Sequence, residues 1–337
     1  MNEMKKPVNW IILILLVVGT ILVVRHDGRS EGTWHTNQGY VFGTVYKVTY
    51  RYKDDIQPMI EARLREVDNS LSPFNPHSVI SRINTGESME TDSLFRTVFR
   101  KAEEVWQLTN GAFDITCAPL VNAWGFGFRQ SDFPTAQAID SLLAFVGMDK
   151  VTMNHGVIRK RDERVMLDCS AIAKGFGSDC VATMFDGLGI RNYMIEIGGE
   201  VVVRGTNPKA SLWRIGINRP TDDSLSLSNE LDTILTLTGC GLATSGNYRN
   251  FYVHDGRRYA HTVDPRLGYP VQHAVLSATV IAPTCMEADA FATSFMVIGA
   301  DSARQIVEQR PDLRAYFILA SPEGNRYQTL RLGRWED

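Results

Sequence analysis

Four clusters in this chain place small, polar and acidic residues where hydrophobic packing alone would not ask for them. Asp289 and Thr293 lie four residues apart in Glu287-Ala288-Asp289-Ala290-Phe291-Ala292-Thr293, so a helix would point a carboxylate and a hydroxyl the same way, one turn apart. Such hard oxygen ligands suit Mg2+, which completes its octahedron with waters and substrate phosphates. The plain alternative is a polar stripe on a helix of Ala, Phe and Met. In Asp168-Cys169-Ser170-Ala171-Ile172-Ala173-Lys174-Gly175-Phe176-Gly177 an acidic residue closes a strand, and a lysine and two glycines open a helix. Backbone amides at a helix start, with a lysine beside them, suit an anionic phosphate. A helix capped near Asp168 fits the same residues. If Lys174 is an exposed charge there, it serves ligand binding more than folding.

The third cluster is Thr244-Ser245-Gly246-Asn247-Tyr248-Arg249 with His261-Thr262-Val263-Asp264-Pro265-Arg266-Leu267-Gly268. Asp-Pro-x-x-Gly is a turn signature. A histidine near a carboxylate, hydroxyls and an arginine is what proton transfer needs, although a lone histidine is more often structural. The fourth is Asn110-Gly111-Ala112-Phe113-Asp114, followed by Pro119 and Trp124-Gly125-Phe126-Gly127. It reads either as a helix stop with an aromatic core or as a loop gripping a planar ligand.

These residues need elements to hold them. Apolar residues Ile56, Met59, Ile60, Leu64, Val67 and Leu71 recur at helical steps over residues 55–71, with Pro58 tolerated in the first turn. A second helix is expected over 92–108, stopped by Asn110-Gly111. Residues 39–52 read as a strand or hairpin arm, 165–168 as a short strand, and 171–188 as a helix. Further strands are expected over 193–197, 201–204, 213–218, 234–238, 276–281 and 314–319, and helices over 286–298 and 302–309. Strands and helices do not alternate strictly, so an α+β fold with mixed, largely antiparallel sheets is expected rather than a doubly wound parallel one.

Composition narrows the function. The chain has 337 residues, 44% hydrophobic and 22% charged, which excludes disordered, collagen-like and coiled-coil classes. With 35 basic and 38 acidic residues and no long basic run, nucleic acid is not the expected partner. The cysteines Cys117, Cys169, Cys180, Cys240 and Cys285 are scattered, with no CxxC, and read as buried apolar residues. At the N-terminus Lys5 and Lys6 precede an apolar run over residues 8–24, about 25 Å long as a helix. No cysteine lies near its end and no small-x-small cleavage site follows Thr20. An uncleaved membrane anchor over 1–27 is therefore favoured over a cleaved signal peptide, with the lysines on the cytoplasmic side and the rest of the chain outside. Residues 28–38 then read as a tether and 39–337 as the catalytic domain.

In order and spacing these clusters resemble the ApbE family of flavin transferases. The resemblance runs through Phe42-Gly43-Thr44, Asp68 to Asn75, Gly111 to Asp114, Asp168 to Gly175, Glu196-Ile197-Gly198-Gly199-Glu200, Ala243 to Gly246, His261 to Pro265, and Glu287 to Thr293. It implies an ApbE-like, T-fold-related α+β domain that moves FMN from FAD to a threonine or serine of a target protein, releasing AMP, with Mg2+. It also implies a place outside the bacterial cytoplasmic membrane, on the periplasmic side, and targets among flavin-carrier subunits of membrane redox complexes, of the sodium-pumping NADH:quinone reductase or Rnf type. Carried over, Phe42, Phe74, Ala112, Phe113, Asp114, Asp168, Lys174 and Val263 would surround FAD. The backbone carbonyl of Ala171, with Asp289 and Thr293, would hold Mg2+. Some relatives have a second acid where this chain has Ala292, which bears on metal affinity and ion preference. Phe42 and Phe74 stand where some relatives have Met and Tyr, and both still offer a face to a flat ring.

The chemistry is coherent in its own terms. A cation beside the phosphates lowers the barrier to phosphoryl transfer, and Lys174 adds a second positive charge. A threonine hydroxyl is a poor nucleophile that a base must help; His261, oriented by Asp264, is the first candidate. Two other readings use the same residues: FAD hydrolysis to FMN and AMP, and a flavin-binding module without turnover.

Overall fold

The computed structural model describes residues 14, 32–126, 133–220, 230–247, 251–254, 257–321 and 327–335. The expected anchor at residues 1–27 lies outside them but for Ile14, and no helix among the described residues is long and apolar enough to cross a membrane.

Chain order runs β1 (Thr33–Val41), β2 (Thr44–Tyr52), α1 (Gln57–Leu71), α2 (Val79–Thr85), α3 (Ser93–Leu108), α4 (Ala118–Ala123), α5 (Ala136–Leu143), β3 (Val151–Asn154), β4 (Val157–Lys160) and α6 (Ala173–Gly187). It continues with β5 (Tyr193–Ile197), β6 (Glu200–Arg204), β7 (Trp213–Asn218), β8 (Leu231–Leu237), β9 (Cys240–Gly246), β10 (Phe251–His254), β11 (Arg257–Ala260), β12 (Val275–Ala282), α7 (Cys285–Gln309), β13 (Arg314–Ala320) and β14 (Tyr327–Leu332). Eight strands form one sheet in the order β1-β2-β5-β6-β9-β12-β13-β14, and every ladder in it is antiparallel. The pairs β3-β4, β7-β8 and β10-β11 stand apart as antiparallel hairpins.

The sheet is covered on both faces, which explains why its central strands read as near-continuous apolar runs. In β13, Ala315 and Phe317 face the helices while Tyr316 and Ile318 face β7-β8. In β6, Val202 packs toward the helices and Val201 and Val203 against Trp213, Ile215 and Leu235. Helices α6 and α7 lie on the sheet, α1 packs on α6, and α3 packs on α7. The expected α+β architecture with antiparallel sheets is present.

Four expectations change. The tether does not extend to residue 38: Thr33 opens β1, paired along its whole length with β2 from Thr33↔Tyr52 to Val41↔Thr44. Residues 165–168 belong to no sheet. Leu167 exchanges its N–H and C=O with the side chain of Asn84, at 2.7 and 2.8 Å, and Asp168 N–H goes to the Ile115 carbonyl at 2.7 Å. The two expected helices over 286–298 and 302–309 run together as α7, interrupted at Gly299, whose φ of +76° is non-helical. Strand β9 was not anticipated, because Cys240-Gly241-Leu242-Ala243-Thr244-Ser245-Gly246 carries few of the bulky residues that mark strands.

Candidate active site

A chamber of about 1120 Å³ opens where the ends of these elements meet. It exceeds the usual range for a small ligand and suits a dinucleotide. Of the residues singled out in the sequence it gathers Phe42, Phe74, Ala112, Phe113, Asp114, Asp168, Ala171, Lys174, His261, Val263, Asp289 and Thr293. Asp264 is the exception.

Its charged floor lies between α6 and α7. Asp289 is 2% exposed, and its Oδ2 accepts the N–H of Gly175 at 3.0 Å. Gly175 is the third residue of α6, so its amide has no partner within the helix, and the carboxylate supplies one. Gly175 has no room for a side chain: a Cβ there would sit 2.3 Å from the Cys285 carbonyl oxygen and 2.8 Å from Asp289 Cβ. Lys174 Nζ donates to Glu200 Oε1 at 2.7 Å and lies 3.8 Å from Asp289 Oδ1. Glu200, 4% exposed, keeps its Oε2 without a hydrogen-bond partner among the described residues.

Two buried carboxyl groups thus share one ammonium. Burial pushes the Glu200 carboxyl up to about 8, with Lys174 pulling the other way. Burial also raises Asp289 against the pull of Lys174 and the Gly175 amide. For Lys174, burial favours the neutral amine, but the carboxylates of Asp289 and Glu200 outweigh it and hold the charged form. Thr293 Oγ1 lies 3.2 Å from Ser245 Oγ on β9, within hydrogen-bond reach. Asp289 and the Thr293 hydroxyl are hard oxygen donors, and Ala171, just before α6, lines the same chamber. The set fits a small divalent cation.

The walls are set by turns. Phe42 and Gly43 form the two-residue β1-β2 turn, with φ of +51° and +72°. Both positions of such a turn need positive φ, which is strained for a phenylalanine and directs attention to what its ring does. The ring lies over α6, where a Cβ on Gly177 would come within 2.6 Å of it. Phe74 follows α1 in a loop tied by Asn75, whose side chain donates to Asp68 Oδ2 at 3.2 Å. Gly198 and Gly199, with φ of +62° and +104°, turn β5 into β6 and deliver Glu200 to the floor.

Two aspartates turn out to brace loops. Asp114 Oδ1 accepts from Thr116 N and Oγ1 at 2.7 and 2.6 Å, and Oδ2 from Met148 N at 3.0 Å. Burial raises its pKa against these donors. Asp168 Oδ1 accepts from Ser170 N and Oγ at 2.8 and 2.5 Å, and burial likewise raises it. Phe113 belongs to the main core and Val263 packs with Leu120 and Trp124, each with an edge on the chamber. The expectation that Asp264 orients His261 does not hold. Asp264 Oδ1 accepts from Arg266 N and Nε at 2.9 Å each, and Oδ2 from Nη2 at 2.7 Å, so it closes its own turn. His261 lines the chamber, its ring 6.3 Å from that of Phe126.

Sequence reasoning quoted Glu200 within a motif but gave it no role; its place after a Gly-Gly turn was the signal. It missed Asp179, which accepts the N–H groups of Cys285 and Met286 at 2.9 and 2.8 Å and so caps α7 from α6.

A three-layer α+β domain with a dinucleotide-sized chamber, an aromatic rim and a buried acidic floor defines a nucleotide-processing class of protein. Residues 42–317 match the ApbE family model, and the chain belongs to the ApbE family. It is 34% identical over 337 residues to the FAD:protein FMN transferase of Haemophilus influenzae, covering 95% of each chain. It is 37% identical over 313 residues to that of Vibrio cholerae, covering 89% of this chain and 90% of the other. The solved flavin transferase ApbE from Vibrio cholerae superposes with a TM-score of 0.80 at 32% identity, over 89% of this chain and 97% of that one.

Proposed function

We propose that this chain transfers FMN from FAD to the hydroxyl of a threonine or serine on a target protein, releasing AMP, with Mg2+ held at the chamber floor. The observation that carries the reading is the pair of buried carboxyl groups, Asp289 and Glu200, on the Lys174 ammonium, with Thr293 and Ala171 on the same chamber wall. Asp289, Thr293 and the carbonyl of Ala171 would hold the cation, which when bound supplies positive charge against the pyrophosphate oxygens.

The chain's own groups do the remainder. Phe42 and Phe74 offer ring faces to the flat isoalloxazine. Lys174, kept charged by its carboxylate neighbours, presents an ammonium to the phosphates. His261, on the chamber wall, takes the proton of the incoming hydroxyl. That hydroxyl oxygen attacks the phosphorus on the FMN side, the bond to the AMP oxygen breaks, and AMP leaves as an anion. The apolar run at residues 8–24, preceded by Lys5 and Lys6, would anchor the chain in the bacterial cytoplasmic membrane with the chamber on the periplasmic side. Flavin-carrier subunits of sodium-pumping NADH:quinone reductase or Rnf type complexes are the proposed targets.

The test is mass. Incubated with FAD, Mg2+ and a carrier domain, the protein should add the mass of FMN to one threonine or serine of that domain. Release of free FMN and AMP with no modified carrier would instead support hydrolysis.

A further inference from the structure

The hydroxyl of Thr293 is turned away from its own helix. A serine or threonine inside a helix can donate back to the carbonyl four residues earlier. Thr97 does so to Ser93 at 2.9 Å, Thr183 to Asp179 at 2.8 Å, and Ser294, the next residue of α7, to Ala290 at 2.6 Å. Among the described residues the Thr293 hydroxyl makes no such bond, and its partner is Ser245 Oγ on β9, at 3.2 Å. Ser245 Oγ has no other partner among those residues, and both side chains belong to residues that line the chamber.

The packing of β9 on α7 builds this meeting. In β9, Leu242 packs toward β7-β8 and Ala243 toward the helices, so the alternation of a strand turns Gly241, Ala243 and Ser245 to α7. These small residues let the two backbones close, and a Cβ on Gly241 would stand 2.3 Å from Cys285 N. Counted from that contact, four strand residues at ~3.3 Å cover about 13 Å, and eight helix residues at ~1.5 Å cover about 12 Å. Strand and helix therefore run side by side, from Gly241 beside Cys285 to Ser245 beside Thr293, with Ala243 and Ala288 in the core between. Ala292, next to Thr293, is buried and offers no side-chain oxygen to the chamber.

Resting on the proposed cation at Asp289 and Thr293, we propose that Ser245 is a positioning residue for that site. A hydroxyl has one proton and two lone pairs, so a threonine that gives a lone pair to a cation sends its proton elsewhere. Ser245 Oγ is the acceptor in reach of Thr293. The bond fixes the Thr293 rotamer, as an outer partner fixes a metal ligand, and leaves the Ser245 O–H to donate to water or a phosphate oxygen in the chamber. Ser245 acts on the cation through Thr293 and not by ligating it.

The experiment titrates Mg2+ into the full chain in detergent, without acceptor, and reads the dissociation constant from the rise in melting temperature. Ser245→Ala should raise that constant about tenfold, the low end of what losing an outer partner costs, with FAD affinity in chelator unchanged. Ser245→Thr keeps the hydroxyl and should restore the wild-type constant. In Thr293→Ala, whose constant is already raised, adding Ser245→Ala should change it by less than about twofold, because the route through Thr293 is gone. A wild-type constant in Ser245→Ala, a constant that stays raised in Ser245→Thr, or a full effect that persists beside Thr293→Ala would overturn the positioning role and leave the Mg2+ assignment intact. Loss of FAD affinity in chelator would overturn it too, by giving Ser245 to the phosphates directly. The absence of any Mg2+-dependent rise in wild type would count against the cation itself, and the positioning role would fall with it.

Discussion

Asp289 carries two separable loads, and two substitutions pull them apart. Its Oδ2 accepts the buried Gly175 amide at 3.0 Å, and its charge faces Lys174 at 3.8 Å beside a second carboxylate, Glu200. Asp289→Asn keeps an acceptor oxygen for Gly175 and removes the carboxylate charge of residue 289 beside the ammonium. The metal-free variant should be at least as stable as metal-free wild type, since the repulsion between the two carboxylates disappears while Lys174 keeps Glu200. Asp289→Ala strands the Gly175 amide instead, a loss of roughly 1–3 kcal/mol for a buried donor left without a partner. The cation reads out the other load. Mg2+ at ~100 times its dissociation constant stabilises the folded state by about 2.7 kcal/mol. At roughly 2 °C per kcal/mol for a chain of this size, melting should rise by about 5 °C in wild type. That rise should vanish in both variants, and FMN transfer with it, while FAD still quenches on the aromatic rim. Thr293→Ala should be milder, because water can replace a neutral ligand. Differential scanning fluorimetry with and without Mg2+, beside a mass assay for transfer, makes the measurement. If Asp289→Asn keeps the full Mg2+ rise, or transfers FMN at the wild-type rate, or if wild type is active in excess chelator, the cation is not held at Asp289.

Other expectations follow from the same geometry. Lys174→Ala leaves two buried carboxylates unopposed, so, unlike the loss of an exposed charge, it should remove about 3 kcal/mol of metal-free stability in denaturant titrations. The folded-state pKa of Glu200, about 8, lies above its unfolded value of 4.5, so the native state binds more protons between those limits; metal-free stability should fall as pH rises across that window, and Glu200→Gln should flatten the slope. Gly177→Ala drives a methyl to within 2.6 Å of the Phe42 ring, so FAD affinity should drop in a fluorescence titration, without the ~1 kcal/mol of stability that replacing a helical glycine usually adds. Alkaline extraction should leave the full-length chain in the membrane pellet; a soluble chain starting near residue 25 would refute the anchor.

The elements that position the site were legible where their periodicity was strong. α1 followed from apolar residues at helical spacing, and its buried residues Ile60, Leu64 and Val67 are among those the spacing picked out. Residues 165–168 were misread because Val165 and Leu167 have strand character, while the backbone partner of Leu167 is a side chain 83 residues away. β9 was missed because its small residues answer to a neighbour rather than to strand propensity: a Cβ on Gly241 would stand 2.3 Å from Cys285 N. Asp264 was misassigned for a related reason. Spacing places it near His261, but its own turn offers Arg266, two residues on, with three donors in reach.

The relation between α6 and α7 was the least legible part and does the most to define the floor. Each helix places a carboxylate on the other's first turn: Asp179 of α6 takes the first two amides of α7, and Asp289 of α7 takes the Gly175 amide of α6. A carboxylate at a helix N-terminus is favoured by the orphan amides and the dipole there, so each contact helps hold both helices. The exchange works only if the backbones nearly touch, and that is why glycine stands at 175 and 241 on either side of Cys285. In the sequence, Lys174-Gly175 looks like a phosphate loop and Asp289 like one half of a ligand pair. In the fold they are one contact, in which the carboxylate that would hold a cation also caps the first turn of α6.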